Sequence, residues 1–372
     1  MERIPNGWDL KSVMALSYCK GIHCEIVNEI INKYNCFEEF LQNAFIIDKS
    51  ASLFFQDKND KDLLAMAEEQ IEIADNFGFK IVSFWNDDYP DLLKHIHHPP
   101  IILYYKGTLQ VPNAFMVSIV GTRKCTRYGT MVAEKFAAEL CNEGIIIVSG
   151  MANGIDSVAH RTTIKNNGIT YAVMASGLDK INPSYANKFS EEIVASGGAI
   201  ISEYKIGTSA QQGYFLQRNR IISGLSKATI VVESDFRGGA LNTAGHASQQ
   251  NREVYAVPGN IFSDKSKGTN NLIHSLKAKI ITDSKQVLKD IEYVKENTEQ
   301  ENIAINEDTY QSTNDNSVGD IIMRQISYEE IHIDEIVANT KLDISTVLVQ
   351  LFEMEFNGDI KKLAGNYYIK SV

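Results

Sequence analysis

At 372 residues, with 44% apolar and 22% charged residues, the chain is too long for one ordinary domain and has the composition of a soluble globular protein. No apolar run reaches the roughly 18 residues a membrane span needs, and Met1-Glu2-Arg3-Ile4-Pro5 lacks the basic start and apolar core of a signal peptide. Five scattered cysteines (Cys19, Cys24, Cys36, Cys125, Cys141), never spaced Cys-x-x-Cys, argue against a disulfide framework and a zinc site and point to a reducing cytoplasm.

In chain order, helical spacing comes first. Ser12–Tyr18, Glu25–Tyr34 and Phe37–Asn43 predict a small helical bundle. Gly21-Ile22 hints at a helix-hairpin-helix, but His23 replaces that motif's second glycine, so the turn is read as packing. From residue 115 short Val/Ile-rich runs alternate with helical stretches. The runs are Phe115–Val120, Ile145–Val148, Tyr171–Met174, Ala199–Ile201, Thr229–Val232 and Glu253–Val257; Gly129–Glu143 and Asp156–Asn166 have helix length. Continuous apolar strands alternating with helices predict a doubly wound parallel sheet, with ligands at its carboxyl ends. Residues 291–319 are polar and acidic and read as a linker. Beyond it, Ile333–Thr340, Ser345–Asn357 and a strand-rich end suggest a winged helix over 320–372. Its second helix carries Glu353 and Glu355 and no lysine or arginine, which argues against duplex reading. No internal repeat is visible.

The net charge of −11 conceals an asymmetry. Residues 1–104 carry 9 Lys+Arg against 17 Asp+Glu (−8), residues 105–290 carry 21 against 14 (+7), and residues 291–372 carry 6 against 16 (−10). A basic middle between acidic ends suggests a polyanion partner for the middle.

The candidate chemistry sits at the strand ends. Val117-Ser118-Ile119-Val120-Gly121-Thr122-Arg123-Lys124-Cys125-Thr126-Arg127-Tyr128-Gly129 lacks G-x-G-x-x-G, and the second strand ends in Ser149-Gly150 rather than an acid, so a nicotinamide cofactor is not expected. No P-loop is present. What remains is a strand-to-helix turn whose amides and helix dipole favour an anion, beside Arg123, Lys124 and Arg127. Ser149-Gly150-Met151-Ala152-Asn153-Gly154 leaves further amides open, with Asp156 read as an N-cap and Asp156/His160 as packing rather than an acid/base pair. Asn219, read as a helix N-cap, would put Arg218 and Arg220 at a positive helix end, suited to phosphates; a buried pairing of one of them with Glu203 or Glu233 competes. Gly238-Gly239 before an alanine-rich helix resembles the phosphate loop of nucleoside-monophosphate-cleaving Rossmann enzymes, but no glutamate follows until Glu253.

Ordered matches run along nearly the whole chain. They are Val120-Gly121-Thr122-Arg123 with Tyr128-Gly129, Ser149-Gly150 through Gly154-Ile155-Asp156 with Ala159-His160, and Ser202-Glu203. Phe215 with Arg218-Asn219-Arg220-Ile221-Ile222, Thr243-Ala244, Ala256-Val257-Pro258-Gly259 and Gly268-Thr269-Asn270 follow. With these the chain resembles the DNA-processing protein A family. The resemblance implies an extended Rossmann-like core that binds single-stranded DNA and forms a homodimer, an N-terminal helical (SAM-like) domain and a C-terminal winged helix. It further implies a recombination mediator that protects incoming DNA and loads the recombinase RecA during natural transformation, with no catalysis and no cofactor or metal. The implied domains are 1–65, 66–290 (lead-in 66–110) and 320–372.

Taken with the residue readings, the implied DNA contacts are Gly121, Thr122, Arg123, Arg127, Ser149, Gly150, Asn153, Gly154, Lys188, Arg218, Asn219, Arg220 and Arg237. Ser184 stands where many members carry a cation, a loss Lys188 or Arg237 could offset, and Leu216 replaces a usual proline. Tyr128, Tyr185 and Phe189 are candidate stacking residues. The rival expectation is an enzyme that cleaves nucleoside monophosphates.

Overall fold

The computed structural model describes residues 4, 7–19, 21–47, 60–109, 114–181, 186–291 and 318–371. They fall into two compact units, Met1–Lys295 and Glu296–Val372. The residues read as the acidic linker lie almost wholly outside the described ones, as do Ser184 and Tyr185.

The first unit begins with α1 (Leu10–Ser17), α2 (Cys24–Lys33), α3 (Phe37–Ile47) and α4 (Asp60–Phe77). Asp9 caps α1 by accepting from Ser12 N, and Gly21 makes the α1–α2 turn at a φ of 81°. α4 is continuous through residue 65 and packs on α1. Val13, Leu16, Ile31, Phe37 and Ala67 close the small core between these helices.

The sheet then builds from β1 (Lys80–Ser83), α5 (Asp91–Lys94), β2 (Ile102–Gly107), β3 (Met116–Val120), α6 (Arg127–Asn142), β4 (Ile146–Ser149), α7 (Ile155–Lys165) and β5 (Thr170–Val173). It continues with α8 (Ala186–Ala195), β6 (Ala199–Ser202), α9 (Gln212–Gly224), β7 (Ala228–Val231), α10 (Gly239–Gln249), β8 (Glu253–Ala256), α11 (Lys267–His274), β9 (Lys279–Ile280) and α12 (Ser284–Asp290). All six sequence-predicted strands are present, each end within one residue of its expected place.

Strand order is β1-β2-β6-β5-β4-β3-β7-β8-β9. β3 to β9 run parallel; β1 and β2 are antiparallel additions at the β6 edge, which the sequence reading did not include. β4 to β7 are buried throughout, as expected of strands covered on both faces. α9 and α10 cover one face through Ile221, Ile222, Ala240 and Ala244; α6, α7 and α12 cover the other through Phe136, Ile155 and Val287. Polar groups inside the sheet are paired: the Ser118 hydroxyl lies 2.9 Å from that of Thr229, and Thr170 donates to Ile147 O at 2.7 Å.

The second unit comprises α13 (Val318–Met323), β10 (Ile331–His332), α14 (Ile333–Thr340), α15 (Ile344–Asn357), β11 (Ile360–Lys362) and β12 (Tyr367–Lys370), its three strands ordered β10-β12-β11. Asp343 caps α15, and Gly358 ends it at a φ of 84°. Along with Glu353 and Glu355, α15 exposes Ile344, Leu348, Phe352 and Phe356.

Candidate nucleic-acid interface

β3 and β7 are adjacent in the sheet, although β4, β5 and β6 intervene in the chain. Their carboxyl ends therefore mark the point where strand order reverses, the crevice in which doubly wound sheets hold ligands. A cleft of about 650 Å³ opens there, walled by Gly121, Thr122 and Arg123 after β3 and by the first turns of α9 and α10. A second cleft of about 230 Å³ continues past Gly150, Asn153 and Met174, sharing Arg123, Phe215 and Arg218 with the first.

Two helix N-termini face this groove without side-chain caps: Gln211 before α9 and Gly238 before α10 make no capping hydrogen bond. Their first amides and helix dipoles are thus available to an anion. Arg123 is exposed, with its guanidinium carbon 4.9 Å from the ring centre of Phe215, itself half-buried in the groove wall. That contact orients the charge, and Arg123 makes no side-chain hydrogen bond or ion pair among the described residues.

The N-terminus of α6 is arranged differently, and the expectation that it cradles a phosphate is corrected. Its cap Thr126 accepts from Gly129 N at 3.2 Å. The Thr126 amide and hydroxyl in turn donate to the Glu233 carboxylate at 2.9 and 2.6 Å. Glu233 is 1% exposed, so a buried carboxylate already engages the cap residue of this helix. A Cβ at Gly129 would overlap the same carboxylate, so a larger residue there would displace Glu233 from Thr126. Arg127, the first residue of α6, is exposed and lies outside the groove lining.

The reading of Asn219 as a helix N-cap is also corrected. α9 starts at Gln212, so Arg218, Asn219 and Arg220 lie inside it, and successive side chains point around the helix rather than toward its end. Arg218 lines the groove, 3% exposed, donating to Gly150 O at 2.7 Å and to Val173 O. Its Nε has no partner among the described residues. Arg220 leaves the groove and pairs with Glu203, as the competing reading held. Asn219 donates to Asn242 Oδ1 at 3.1 Å, fastening α9 to α10.

Asp156 is not the cap of α7. Gly154 is, at a φ of 82° and packed so closely on Thr122 and Arg123 that no side chain fits. The Asp156 carboxylate accepts from Gly150 N at 3.2 Å and Ala152 N at 3.4 Å, holding the β4 loop. Burial raises its pKa, opposed by Arg218 and those amides. His160 is fully buried with Nδ1 2.6 Å from Thr170 Oγ1. Burial, with Arg218 nearby, pulls it down to about 3, so it is neutral at physiological pH and forms no acid/base pair with Asp156. A histidine depressed in the folded state binds its proton more tightly when unfolded, so stability present above about pH 6.5 is lost on acidification toward its folded pKa. Replacing His160 with glutamine should therefore flatten the stability profile between pH 5 and 6.5 by up to about 1.4 kcal/mol per pH unit. Urea unfolding across that window measures it; parallel profiles would refute it.

Of the other expected contacts, Ser149 is buried and donates to Ile119 O at 2.6 Å, a structural role. Lys188 is exposed on α8, and Arg237 is exposed just before Gly238. Neither is among the groove-lining residues. Among the stacking candidates, Phe189 is buried and the Tyr128 hydroxyl is tied to Pro258 O at 2.7 Å. The aromatic ring in the groove is Phe215, which the sequence reading did not propose for stacking. Gln211, Gln212, Ser234 and Thr243 also line it and were missed; only the Gly238-Gly239 pair beside them carried a recognisable phosphate-loop signal.

The family model for DNA recombination-mediator protein A matches residues 80–292, more than half of the chain. The chain belongs to the DNA recombination-mediator protein A family. A model for the family's winged-helix domain matches residues 311–366. The DNA processing protein of Streptococcus pneumoniae is 38% identical over 215 residues, 58% of this chain and 75% of that protein. An X-ray structure from the same organism is similar at 30% identity and a TM-score of 0.57, covering 77% of this chain and 93% of that one. A Helicobacter pylori family member, studied for its single-stranded DNA binding mode, is 28% identical with a TM-score of 0.50, covering 57% and 95%. No helix among the described residues is long and apolar enough to cross a membrane.

Proposed function

We propose that this family member binds single-stranded DNA in the groove at the carboxyl ends of β3, β4, β5 and β7 and acts in recombination by delivering the strand to RecA. The observation that carries the reading is the convergence on one groove of two uncapped helix N-termini and Arg123 stacked on Phe215. Amides and a guanidinium hold phosphates without reading sequence, and an aromatic face suits bases that a duplex would hide. The single-stranded DNA binding of the Helicobacter pylori relative supports the same reading. The core charge of +7 supplies the longer-range attraction. The role extends to protection of incoming strands during transformation, in the cytoplasm, by a homodimer formed through the core, without catalysis.

Fluorescence anisotropy with matched oligonucleotides tests the binding. Single strands should bind with a steep salt dependence and in preference to duplex of the same sequence. Equal affinity for both forms, or none for either, would remove the basis of the proposal. The wider role requires that the chain accelerate RecA assembly on the same strand.

A further inference from the structure

His23, Glu25 and His98 meet at the seam between the N-terminal helices and the lead-in to the sheet. His23 precedes α2 and Glu25 lies in its first turn, while His98 belongs to the loop between α5 and β2. Oε2 of Glu25 is 2.7 Å from Nδ1 of His23 and 3.7 Å from Nδ1 of His98, and one ligand atom from each residue lies within 4.8 Å of the other two. Four-coordinate zinc, with bonds of about 2.0–2.1 Å, sets its ligand atoms about 3.3 Å apart; the two separations from Glu25 to the imidazoles lie on either side of that spacing. Nδ1 of His23 is shielded from solvent and faces the Glu25 carboxylate. His98 holds a φ of 55°, a left-handed backbone that a non-glycine residue rarely adopts. Both imidazoles border a cleft of about 380 Å³, which leaves room for a water ligand.

We propose that His23, Glu25 and His98 form a binding site for one divalent transition-metal ion of the zinc class, which ties α2 to the loop entering β2. Two imidazoles and one carboxylate suit zinc, cobalt or nickel and are a poor set for calcium or magnesium. The ligand spacing gave no sequence signal because 73 residues separate Glu25 from His98.

The test is calorimetric titration of the chelator-treated full chain with Zn²⁺ at pH 7.5. The native chain should take up one equivalent and its thermal midpoint should rise. Glu25→Gln and His98→Gly should each weaken binding at least about 10-fold. Glycine at position 98 also relaxes the left-handed backbone, so misfolding would not explain its loss of metal. His274→Ala, on α11 and outside the cluster, should bind as the native chain does. Absence of saturable binding to the native chain, or equal affinity in His98→Gly, overturns the proposal.

Discussion

Replacing Arg123 with alanine is expected to weaken single-stranded DNA binding by about ten- to a hundred-fold, the equivalent of one lost hydrogen-bonded charge contact. The loss should be uniform across sequences, because a phosphate contact carries no base information. The slope of log affinity against log salt should fall by about 0.7. Lysine should recover only part of the affinity, since a point charge cannot form a bidentate fork. Phe215→Ala should also weaken binding, and the double variant should lose less than the sum, because the ring holds the guanidinium in place at 4.9 Å. Anisotropy across a salt series reads all of this. Unchanged affinity and slope in Arg123→Ala would mean that the turn after β3 is structural.

Glu233→Ala is expected to destabilise the core by about 3 kcal/mol, because its carboxylate receives two hydrogen bonds at the α6 N-terminus. DNA affinity of the folded variant should change by less than about threefold, an energy below about 0.7 kcal/mol. With the carboxylate gone, the vacated helix end becomes an anion site, so sulfate should restore part of the stability to the variant and add little to the native protein. Urea midpoints with and without sulfate provide the measurement. A variant of native stability but poor DNA affinity would reverse the assignment, making Glu233 part of the ligand site. Together the two expected results would divide one short stretch, with Gly121–Arg123 serving the proposed DNA site and Thr126–Gly129 serving the fold.

That division could not be read from the sequence. Six of the seven parallel strands were legible because each is a short, largely apolar run rich in Val and Ile, as double-sided burial demands; β9, two exposed residues long, carries no such run. The β-α-β series led to the expectation of ligands at the carboxyl ends of the strands, where the cleft lies, and Arg123 was named from its place after β3. Glu233 lies 107 residues from Thr126, so nothing local announces that it occupies the α6 N-terminus. Asn219 misled for the opposite reason. Its residue type favours a cap, but Gln212–Phe215 had already started the helix upstream, and chain continuity overrode the local preference. The added β1 and β2 strands went unread because their pairing is antiparallel at the edge of a sheet whose interior pattern is parallel.

The place of β3 also sets the order in which the chain can mature. Its two neighbours are β4, which begins 26 residues past the end of β3, and β7, whose first residue pairs with Val117 across 111 positions. During synthesis at about 5–20 residues per second, the β7 edge of β3 stays unpaired for roughly 6–22 seconds after Val117 is made. In that interval Val117, Ile119 and Val120 have only half of their eventual sheet. Nascent chains that end before Ala228 therefore lack the β7 partner and leave an apolar, parallel-pairing edge of β3 open while still on the ribosome.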